Sequence, residues 1–382
     1  MTIIVIKKEA VMKRIIVYAG NDVHQDFIEV AVYRADESEP FIEKRLLNDR
    51  GLVQKFYKKL AEEYDVRACY EAGGCGYVFY RWLKDVGAGC DVIAPSLIPK
   101  RSGDRIKTDK RDAKKIGRLY RAGELTRIHI PSEEEEANRA LVRLREQILK
   151  ETNQSRQYIL KFLQLRGYRY EGAHWTQQHE LFLKKLNFGN EHEQFTFERY
   201  LSMLEFKKIE LREIESRIHK LSTSNQYAEA VSKLRSFRGI DVLSAMTIIT
   251  EVIDFKRFGG AKDFMGFLGL VPSQHSSGES RWLGPITGTG NRRLRRVFVE
   301  AAWHYRHKPA VTKRLEARQE DISIEIKEYS WKAQQRLSKK YWRLVNHKNK
   351  NIATVAVARE LSGFVWSLMT REAGFSRQTV QN

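Results

Sequence analysis

The sequence predicts an α/β domain at residues 1–128, a coiled-coil helical arm at 129–225 and a mainly α-helical domain at 226–382. Three observations support this prediction. Strand-like and helix-like runs alternate up to residue 128, heptad repeats follow, and the remaining segments have helical spacing interrupted by a Ser- and Gly-rich stretch. A chain of 382 residues is long enough for two or three domains. Residues 1–11 precede the first predicted strand and are interpreted as an extension.

The N-terminal segments follow an order that is typical of a mixed sheet covered by helices. RIIVYAGNDVHQDFIEVAVYRA contains two strand-like runs, 15–18 and 27–33, and PFIEKRLLN predicts a third strand. GLVQKFYKKLAEEY and YVFYRWLKDVG have apolar residues at helical spacing, while VRACYEAGG and CDVIAP predict further strands. A meander of three strands followed by alternating helices and strands describes an α/β domain with a mixed sheet.

The middle of the chain carries two heptad patterns. In the first helix, six of the eight a and d positions between 141 and 165 are apolar: Leu141, Leu144, Ile148, Tyr158, Phe162 and Leu165. The other two positions are Glu151 and Ser155. The second helix, from about 195 to 221, repeats through Phe197, Tyr200, Leu204, Leu211, Ile214, Ile218 and Leu221. The polar segment NFGNEHEQ separates the two helices, which favours an antiparallel hairpin. Packing within one chain would explain these seams, but their length favours an arm used in dimerisation.

The C-terminal part begins with a predicted helical hairpin. LRSFRGIDVLSAMTIITEV reads as helix, turn and helix, and Gly239 in the turn would let backbone amides approach a phosphate. A plain helical hairpin explains the same pattern. The stretch VPSQHSSGESRWLGPITGTGNRRLRR is predicted to be a flexible loop in which glycines 284, 288 and 290 permit close backbone approach. Five arginines in it are candidate phosphate ligands: Arg281, Arg292, Arg293, Arg295 and Arg296.

The composition favours a polyanionic partner. The formal net charge is +20 and is spread over many segments, so nucleic acid is the leading candidate. A membrane surface is disfavoured because the chain has no run of 18 uncharged apolar residues, and the N-terminus has too short an apolar stretch for a signal peptide. We therefore expect a cytoplasmic protein. Cys69, Cys75 and Cys90 lack the spacing of a zinc site and are expected to pack as small apolar side chains.

Four acids fall where the ends of strands and the start of a helix are predicted. Asp22 follows the first strand and Glu71 ends the fourth, while Asp109 and Asp112 are three residues apart at the start of a helix. Each acid has an ordinary explanation: helix capping by Thr108 with Asp109 in the first turn, salt bridges with the many nearby cations, a turn at Asp22, or a solvated strand end at Glu71. Together, at one edge of a sheet in a basic protein, they favour a divalent-metal site, with Mg²⁺ as the candidate ion.

These motifs resemble a known family. Asp22 in NDVHQD, Glu71 in YEAGGCGY and Asp109 with Asp112 in KTDKRDA are similar to the DEDD quartet of bacterial insertion-sequence transposases. The segments FMGFLGLVPSQHSSGESRWLGPITGTGNRRLRRVFVEAAW and NIATVAVARELSGFVW resemble the second conserved domain of that family. Asn21 departs from the pattern, since the family usually has an apolar residue there. The resemblance implies a RuvC-like N-terminal domain with the ribonuclease H fold, in which the four acids hold Mg²⁺.

The resemblance also implies a mechanism and partners. Ser277, which precedes Gly278, corresponds to the nucleophilic serine of the family and would form a covalent phosphoserine link to DNA. The implied partners are donor and target DNA, a structured noncoding guide RNA called a bridge RNA, and further copies of the chain in a dimer or tetramer. The sequence alone gives Ser277 no Ser-His-Asp arrangement, and the neighbouring His275 is only a weak indication of a base.

Two other classes of function fit some of the same observations. A RuvC-like structure-specific nuclease would use the four acids with water as the nucleophile, and would not need Ser277. A non-catalytic RNA-binding scaffold would keep the charge and the arm, and would tolerate loss of any acid. Aromatic residues interleaved with cations, such as Trp331, Tyr341 and Trp342, are common on nucleic-acid surfaces, although core packing explains them equally well.

Overall fold

The structure is a computed structural model that describes residues 14–99, 109–277 and 280–371. The chain divides into two compact units, with the boundary between Ile130 and Pro131. The first unit contains the predicted α/β segments, and the second contains both heptad helices together with the C-terminal elements. The predicted extension at residues 1–11 and the predicted cap Thr108 lie outside the described residues.

The first unit is a five-stranded mixed sheet with helices. Its elements are β1 (Ile16–Val23), β2 (Phe27–Arg34), β3 (Ile42–Leu47), α1 (Arg50–Glu63), β4 (Asp65–Glu71), α2 (Val78–Asp85), β5 (Gly89–Ile93) and α3 (Asp109–Arg121). The strand order is β3-β2-β1-β4-β5. β1, β2 and β3 form an antiparallel meander, and β4 and β5 continue the sheet in parallel with β1. The predicted mixed sheet is therefore confirmed.

The strands form because β-branched and aromatic residues fill a sheet that is covered by helices. Val17, Val30, Val53, Ala68 and Val92 are all buried in one core shared by the strands and α1. β1 extends to Val23, five residues beyond the predicted end of that strand, because residues 19 to 23 continue to pair with β2. Asp22 therefore lies within β1, and the prediction that it follows the strand was wrong.

Helix α3 packs on β1 through two glycines. A Cβ atom on Gly20 would lie 2.2 Å from the backbone N of Gly117 and 2.4 Å from the carbonyl oxygen of Ala113, so only glycine allows this approach. The Tyr33 hydroxyl donates a hydrogen bond to the carbonyl of Lys114 at 3.1 Å, which ties the helix to β2 as well. The close contact fixes α3 over the sheet, and its first turn carries Asp109 and Asp112.

The second unit is almost entirely helical. Its elements are α4 (Glu133–Gln164), α5 (Gln177–Lys185), α6 (Glu191–Ser222), α7 (Ala228–Arg235), α8 (Val242–Val252), α9 (Ala261–Phe267), β6 (Pro272–Ser277), β7 (Ser280–Ile286), α10 (Arg292–Ala302), α11 (Lys313–Arg318), α12 (Ile324–Val345) and α13 (Lys350–Thr370). Ser132 and Glu135 form a capping box that starts α4.

The long helices α4 and α6 pack against each other within the chain. The predicted a positions Ile148, Ser155 and Phe162 are buried in α4, but the other half of its seam is formed by Thr152 and Ile159. The predicted d positions stay exposed: Leu144 at 43%, Tyr158 at 43% and Leu165 at 82%. The buried stripe keeps a spacing of three and four residues, with the predicted a positions retained and the predicted d positions replaced by the residues that follow them.

The predicted seam of α6 also packs against residues of its own chain. Ile218 is 1% exposed and belongs to the main core of the second unit. A smaller cluster near the far ends of α4 and α6 contains Phe162, Phe188, Phe197 and Leu204. Ile218 is therefore a core residue of the single chain, and the prediction that it forms an interface between chains was wrong.

The C-terminal helices close the core of the second unit. Tyr341 is buried at 3% exposure, whereas Trp342 beside it is 51% exposed, so the interleaved aromatic residues divide between core and surface. Helix α13 is long and apolar enough to meet a length and composition test for a membrane span. Its residues Val357, Leu361 and Val365 are fully buried in the core, which accounts for its apolar composition.

Candidate metal centre

Three side chains converge at the end of β1. His24 Nε2 lies 3.2 Å from Asp22 Oδ2 and 3.4 Å from Asp109 Oδ1. One ligand atom from each of these residues lies within 4.8 Å of the others, a spacing compatible with a shared metal ion. The side chains of His24, Asp22 and Asp109 are 40%, 21% and 43% exposed, so the centre is open to solvent on one side.

The strand positions of Asp22 and Glu71 follow from the pairing of β1 with β4. These strands are parallel and pair Asn21 with Tyr70, so Asp22 and Glu71 each follow that pair by one residue at the same edge of the sheet. Glu71 is exposed and lies outside the cluster of Asp22, His24 and Asp109. The structure therefore brings Asp22 and Asp109 together and leaves Glu71 at the neighbouring strand end.

Asn21 has a structural role on the opposite side of β1. Its side chain is fully buried and donates hydrogen bonds to the carbonyls of Ala19 and Cys69 at 3.2 and 3.1 Å. Its Oδ1 accepts a hydrogen bond from the Tyr57 hydroxyl at 2.5 Å. The amide thus replaces the apolar residue expected there with a satisfied buried network, and successive strand residues point to opposite faces, so Asp22 faces away from it.

The carboxyl group of Asp22 is electrostatically unfavourable in its ionised form. Its pKa is raised above the ordinary value, first by burial and then by the negative charges of Asp112 and Asp109, while His24 opposes the shift. Asp112 is therefore close enough to Asp22 to interact with it. A carboxyl group whose pKa is raised by burial and by neighbouring carboxylates fits a site completed by a cation.

His24 is a member of this centre that the sequence analysis did not identify. It lies two residues after Asp22, the spacing that puts two side chains on the same face of an extended chain. That periodicity is the signal that could have found it. The early predicted end of the first strand, at residue 18, concealed the relation.

The predicted serine loop is a β-hairpin. Strands β6 and β7 are antiparallel, and Ser277 pairs with Ser280. Ser277 is thus the last residue of β6, and its side chain, together with those of His275, Ser276 and Arg281, lies outside the described part of the structure. In place of the predicted loop, residues 272–277 and 280–286 form two paired strands, whose ladder has a register shift between Pro272 and Gln274.

The four arginines of α10 have different surroundings. Arg293 Nε lies 2.8 Å from Glu146 Oε2, and Arg296 Nη1 lies 3.2 Å from Glu146 Oε1, so both are held by one carboxylate of α4. Arg295 donates to the carbonyl of Leu268 at 2.9 Å and supports the preceding loop. Arg292 is exposed. Arg292 and the outer sides of Arg293 and Arg296 therefore offer charge to a polyanion, while Arg295 has a structural role.

A buried network holds the start of α10. Asn291 caps the helix by accepting from the backbone N of Leu294, and its Nδ2 donates to Glu251 at 2.8 Å. Glu251 is 2% exposed in its side chain and is paired with Arg143 at 2.6 Å, and these hydrogen bonds and charges lower its pKa against the opposing effect of burial. This network links α4, α8 and α10.

Two of the glycines that were predicted to let the backbone approach a phosphate lie against other parts of their own chain. Gly239 has φ +87°, and a Cβ atom on it would lie 2.6 Å from the carbonyl oxygen of Ala301. Gly290 has φ +92°, and its Cβ would lie 2.2 Å from the carbonyl oxygen of Phe267. The helical hairpin of α7 and α8 is present, and Gly239 allows close packing against α10, while its predicted approach to a phosphate stays a prediction.

Comparison with known proteins identifies both halves of the chain. Residues 19–166 match a family described as "Transposase", a DEDD-type domain, and residues 231–316 match the "Transposase IS116/IS110/IS902 family". The first range contains Asp22, Glu71, Asp109 and Asp112, and the second contains Ser277. A DEDD-type domain, together with the cluster at β1, indicates use of a divalent metal.

Curated relatives agree over most of the chain. The putative transposase y4qE of Sinorhizobium fredii is 38% identical over 334 residues, 87% of this chain and 81% of the relative. The transposase for insertion sequence element IS1533 of Leptospira borgpetersenii is 34% identical over 349 residues, 87% of this chain and 98% of the relative. The resemblance to insertion-sequence transposases is thereby confirmed. The chain belongs to the IS110/IS116/IS902 family of transposases, enzymes that cut and rejoin DNA.

Proposed function

We propose that this transposase cuts and rejoins DNA strands through a covalent phosphoserine intermediate on Ser277, with Mg²⁺ held by Asp22, Glu71, Asp109 and Asp112. The observation that carries the metal assignment is that ligand atoms of Asp22 and Asp109 lie within 4.8 Å of each other, with Asp112 close enough to raise the pKa of Asp22. Such a concentration of negative charge in a chain of net charge +20 is suited to a cation that bridges protein and phosphate.

The acids have separate tasks in this proposal. Asp22 is held by the β1 ladder, and Asp109 and Asp112 by the glycine contact of α3, so their oxygens are presented by rigid elements. Glu71, at the adjacent strand end, is placed to bind the metal ion or to contact the attacking group. A bound divalent ion neutralises charge that develops on the phosphate and lowers the barrier to deprotonating a hydroxyl.

Ser277 is the proposed nucleophile. Its Oγ loses a proton and forms a bond to phosphorus, and the bond from phosphorus to one deoxyribose oxygen breaks, so that oxygen takes up a proton and leaves as a hydroxyl. The new phosphodiester conserves the free energy of the broken one, and the reverse attack by a DNA hydroxyl rejoins a strand without ATP. The position of Ser277 at the end of a hairpin strand supports this role, since a strand end holds the backbone of a residue in place.

The positive charge of the chain and its transposase family support nucleic acids as partners. Arg292, Arg293 and Arg296 supply positive charge on α10, and arginine is suited to bidentate phosphate contacts. We propose donor and target DNA as the substrates and a structured bridge RNA as the guide that pairs with them. Delegating sequence recognition to base pairing is consistent with a large charge distributed over the whole chain.

The chain is further proposed to assemble as a dimer or tetramer through its arm. The α6 residues that support this proposal are exposed in the single chain: Phe195 at 60%, Met203 at 49%, Phe206 at 57% and Ile209 at 43%. Exposed apolar side chains repeated along one helix are typical of a helix that packs against another copy. This outer face replaces the predicted seam at Leu211 and Ile218 as the proposed interface.

The metal assignment is tested by Asp109→Asn and Asp112→Asn. Each variant is expected to lose strand cleavage in Mg²⁺ while binding DNA at least as well as the parent chain, because removing a carboxylate affects the metal site more than it affects attraction of a polyanion. Cleavage on a labelled duplex and binding by fluorescence anisotropy measure the two effects. Asp36→Asn, at an exposed position, is the matched control. Normal cleavage by Asp109→Asn and Asp112→Asn would contradict the assignment.

A further inference from the structure

We propose that His24 is a nitrogen ligand of the metal centre and gives it a preference for Mn²⁺ over Mg²⁺. The inference rests on the proposed metal centre and adds a ligand and an ion selectivity to it. Among the residues that the structure describes, His24 is the histidine grouped with two carboxylates at metal-ligand spacing.

The distances are those of neighbouring ligands around one ion. His24 Nε2 is 3.2 Å from Asp22 Oδ2 and 3.4 Å from Asp109 Oδ1. Adjacent ligands of an octahedral ion with bonds of about 2.1 Å are about 3.0 Å apart. A small contraction of the three side chains would therefore complete three sites of an octahedron, and the open side of the centre leaves room for water and a phosphate oxygen.

The turn that carries His24 is held in place. The backbone N of His24 donates to the carbonyl of Phe27 at 2.9 Å, and its carbonyl accepts from Asn48 Nδ2 at 2.7 Å. The backbone N of Asn48 also donates to the carbonyl of Asp26 at 3.0 Å, which joins the turn to the segment after β3. Four backbone groups of the β1-β2 turn are thus fixed by hydrogen bonds, unlike those of a histidine on a free surface loop.

The imidazole ring is also oriented by stacking. Its centroid lies 4.8 Å from that of Phe27 with an interplanar angle of 29°. The Arg45 guanidinium lies 4.2 Å from the Phe27 ring centroid and is bonded to the buried Glu29 at 2.5 Å. This chain of contacts restricts rotation of the His24 ring, so Nε2 is presented to the two carboxylates. Groups that fix the direction of a ligand ring contribute to metal affinity and selectivity.

The donor set determines the preferred ion. Mg²⁺ favours oxygen ligands and retains water, and an imidazole nitrogen in its coordination sphere is a poor exchange for water. Mn²⁺ shares with Mg²⁺ an octahedral geometry and an affinity for carboxylate oxygens. As a transition-metal ion it is softer than Mg²⁺ and binds an imidazole nitrogen more readily. Two carboxylates with one imidazole thus favour Mn²⁺, while the same centre without the imidazole is an all-oxygen site suited to Mg²⁺.

The test measures metal binding without any reaction. The full-length chain is stripped of metal, and Mn²⁺ affinity is obtained by electron paramagnetic resonance of free Mn²⁺, with Mg²⁺ affinity from competition. His24→Asn is expected to weaken Mn²⁺ binding by about tenfold or more and to change Mg²⁺ binding much less. The exposed His192 provides the matched control, since His192→Asn should change neither affinity. Phe27→Ala should lower the affinity for Mn²⁺ by a smaller factor than His24→Asn does, and it too should affect Mn²⁺ more than Mg²⁺.

A spectroscopic readout identifies the ligand directly. Electron spin-echo modulation of bound Mn²⁺ should show coupling to a histidine nitrogen in the parent chain and in His192→Asn, and this coupling should vanish in His24→Asn. Equal affinities in the parent chain and His24→Asn, or equal losses for both ions, would overturn the selectivity while leaving an acid-held metal centre intact. If neither ion binds the parent chain, the proposed metal centre itself is contradicted.

Discussion

At the scale of single residues, the chemistry of Asp22 depends on side chains that are distant in sequence. Burial raises its pKa most, and the charges of Asp112 and Asp109 add to the shift. These two acids are brought near Asp22 only when α3 packs on the sheet. The sequence analysis could identify these acids because their residue types and local positions are visible in the chain. It could not identify the hydrogen bonds of Asn21, because its partners Cys69 and Tyr57 are 48 and 36 residues away.

The raised pKa of Asp22 predicts a stability effect with a defined sign. An acid whose pKa is raised on folding destabilises the folded state once pH rises above its ordinary value of 3.8, and the cost is complete above the folded pKa. Asp22→Asn should therefore raise the melting temperature of the metal-free chain at pH 8, by about 2 °C. The gain should shrink toward pH 4.

Differential scanning calorimetry in the presence of a chelator measures this effect. Asp36→Asn serves as the control because Asp36 is exposed and lies outside the centre. A lower melting temperature for Asp22→Asn at pH 8 would show that burial and the neighbouring carboxylates do not destabilise the ionised side chain.

At the scale of secondary-structure elements, local periodicity predicted most of the strands and helices correctly. The strands of the meander, both long helices and the α7-α8 hairpin follow from spacing that is visible within a few residues. The β6-β7 hairpin was missed because its serines, glycines and glutamine lack the alternating apolar pattern of a strand. The d positions predicted for α4 were wrong by one residue because Leu144 and Tyr158 are more apolar than Thr152, which is the residue that packs.

The contact between β1 and α3 predicts the effect of adding one methyl group. Gly20→Ala would place Cβ against the backbone of Gly117 and Ala113, and because backbone atoms cannot rotate away, α3 must shift. We expect a loss of about 1–3 kcal/mol of stability and weaker metal binding, since Asp109 and Asp112 move with the helix. Gly74→Ala is the control, because a Cβ there would meet nothing within 4 Å. Thermal melts and metal titration would contradict this account if Gly20→Ala behaved like Gly74→Ala.

The proposed interface on α6 is separated from core packing by two variants. Phe195→Glu combined with Phe206→Glu should reduce the mass of the assembly with little change in melting temperature, because both side chains are more than half exposed at 60% and 57%. Ile218→Glu should lower the melting temperature, because Ile218 is 1% exposed. Multi-angle light scattering gives the mass. An unchanged mass for the double variant would show that this face of α6 does not join chains.

At the scale of the whole molecule, the proposed functional groups come from parts of the chain that are far apart in sequence. The α/β unit supplies the acids and His24, and the helical unit supplies Ser277 and the arginines of α10. The sequence motifs in the two units resemble two domains of one transposase family, and the comparisons confirm that family for both parts of the chain. Partners within the fold, such as Glu146 for Arg293 at a separation of 147 residues, could be found only from the structure.

The measurement that tests the central claim most directly is the search for a covalent protein-DNA species. The whole chain, with the proposed guide RNA and Mg²⁺ or Mn²⁺, is incubated with labelled DNA substrates. The mixture is denatured and resolved from free DNA, and the modified peptide is mapped by mass spectrometry. We predict a denaturation-resistant adduct with phosphoserine at Ser277, lost together with cleavage in Ser277→Ala and retained in Ser276→Ala. Cleavage by Ser277→Ala that leaves free phosphate ends would contradict the serine pathway and identify water as the nucleophile of a RuvC-like nuclease.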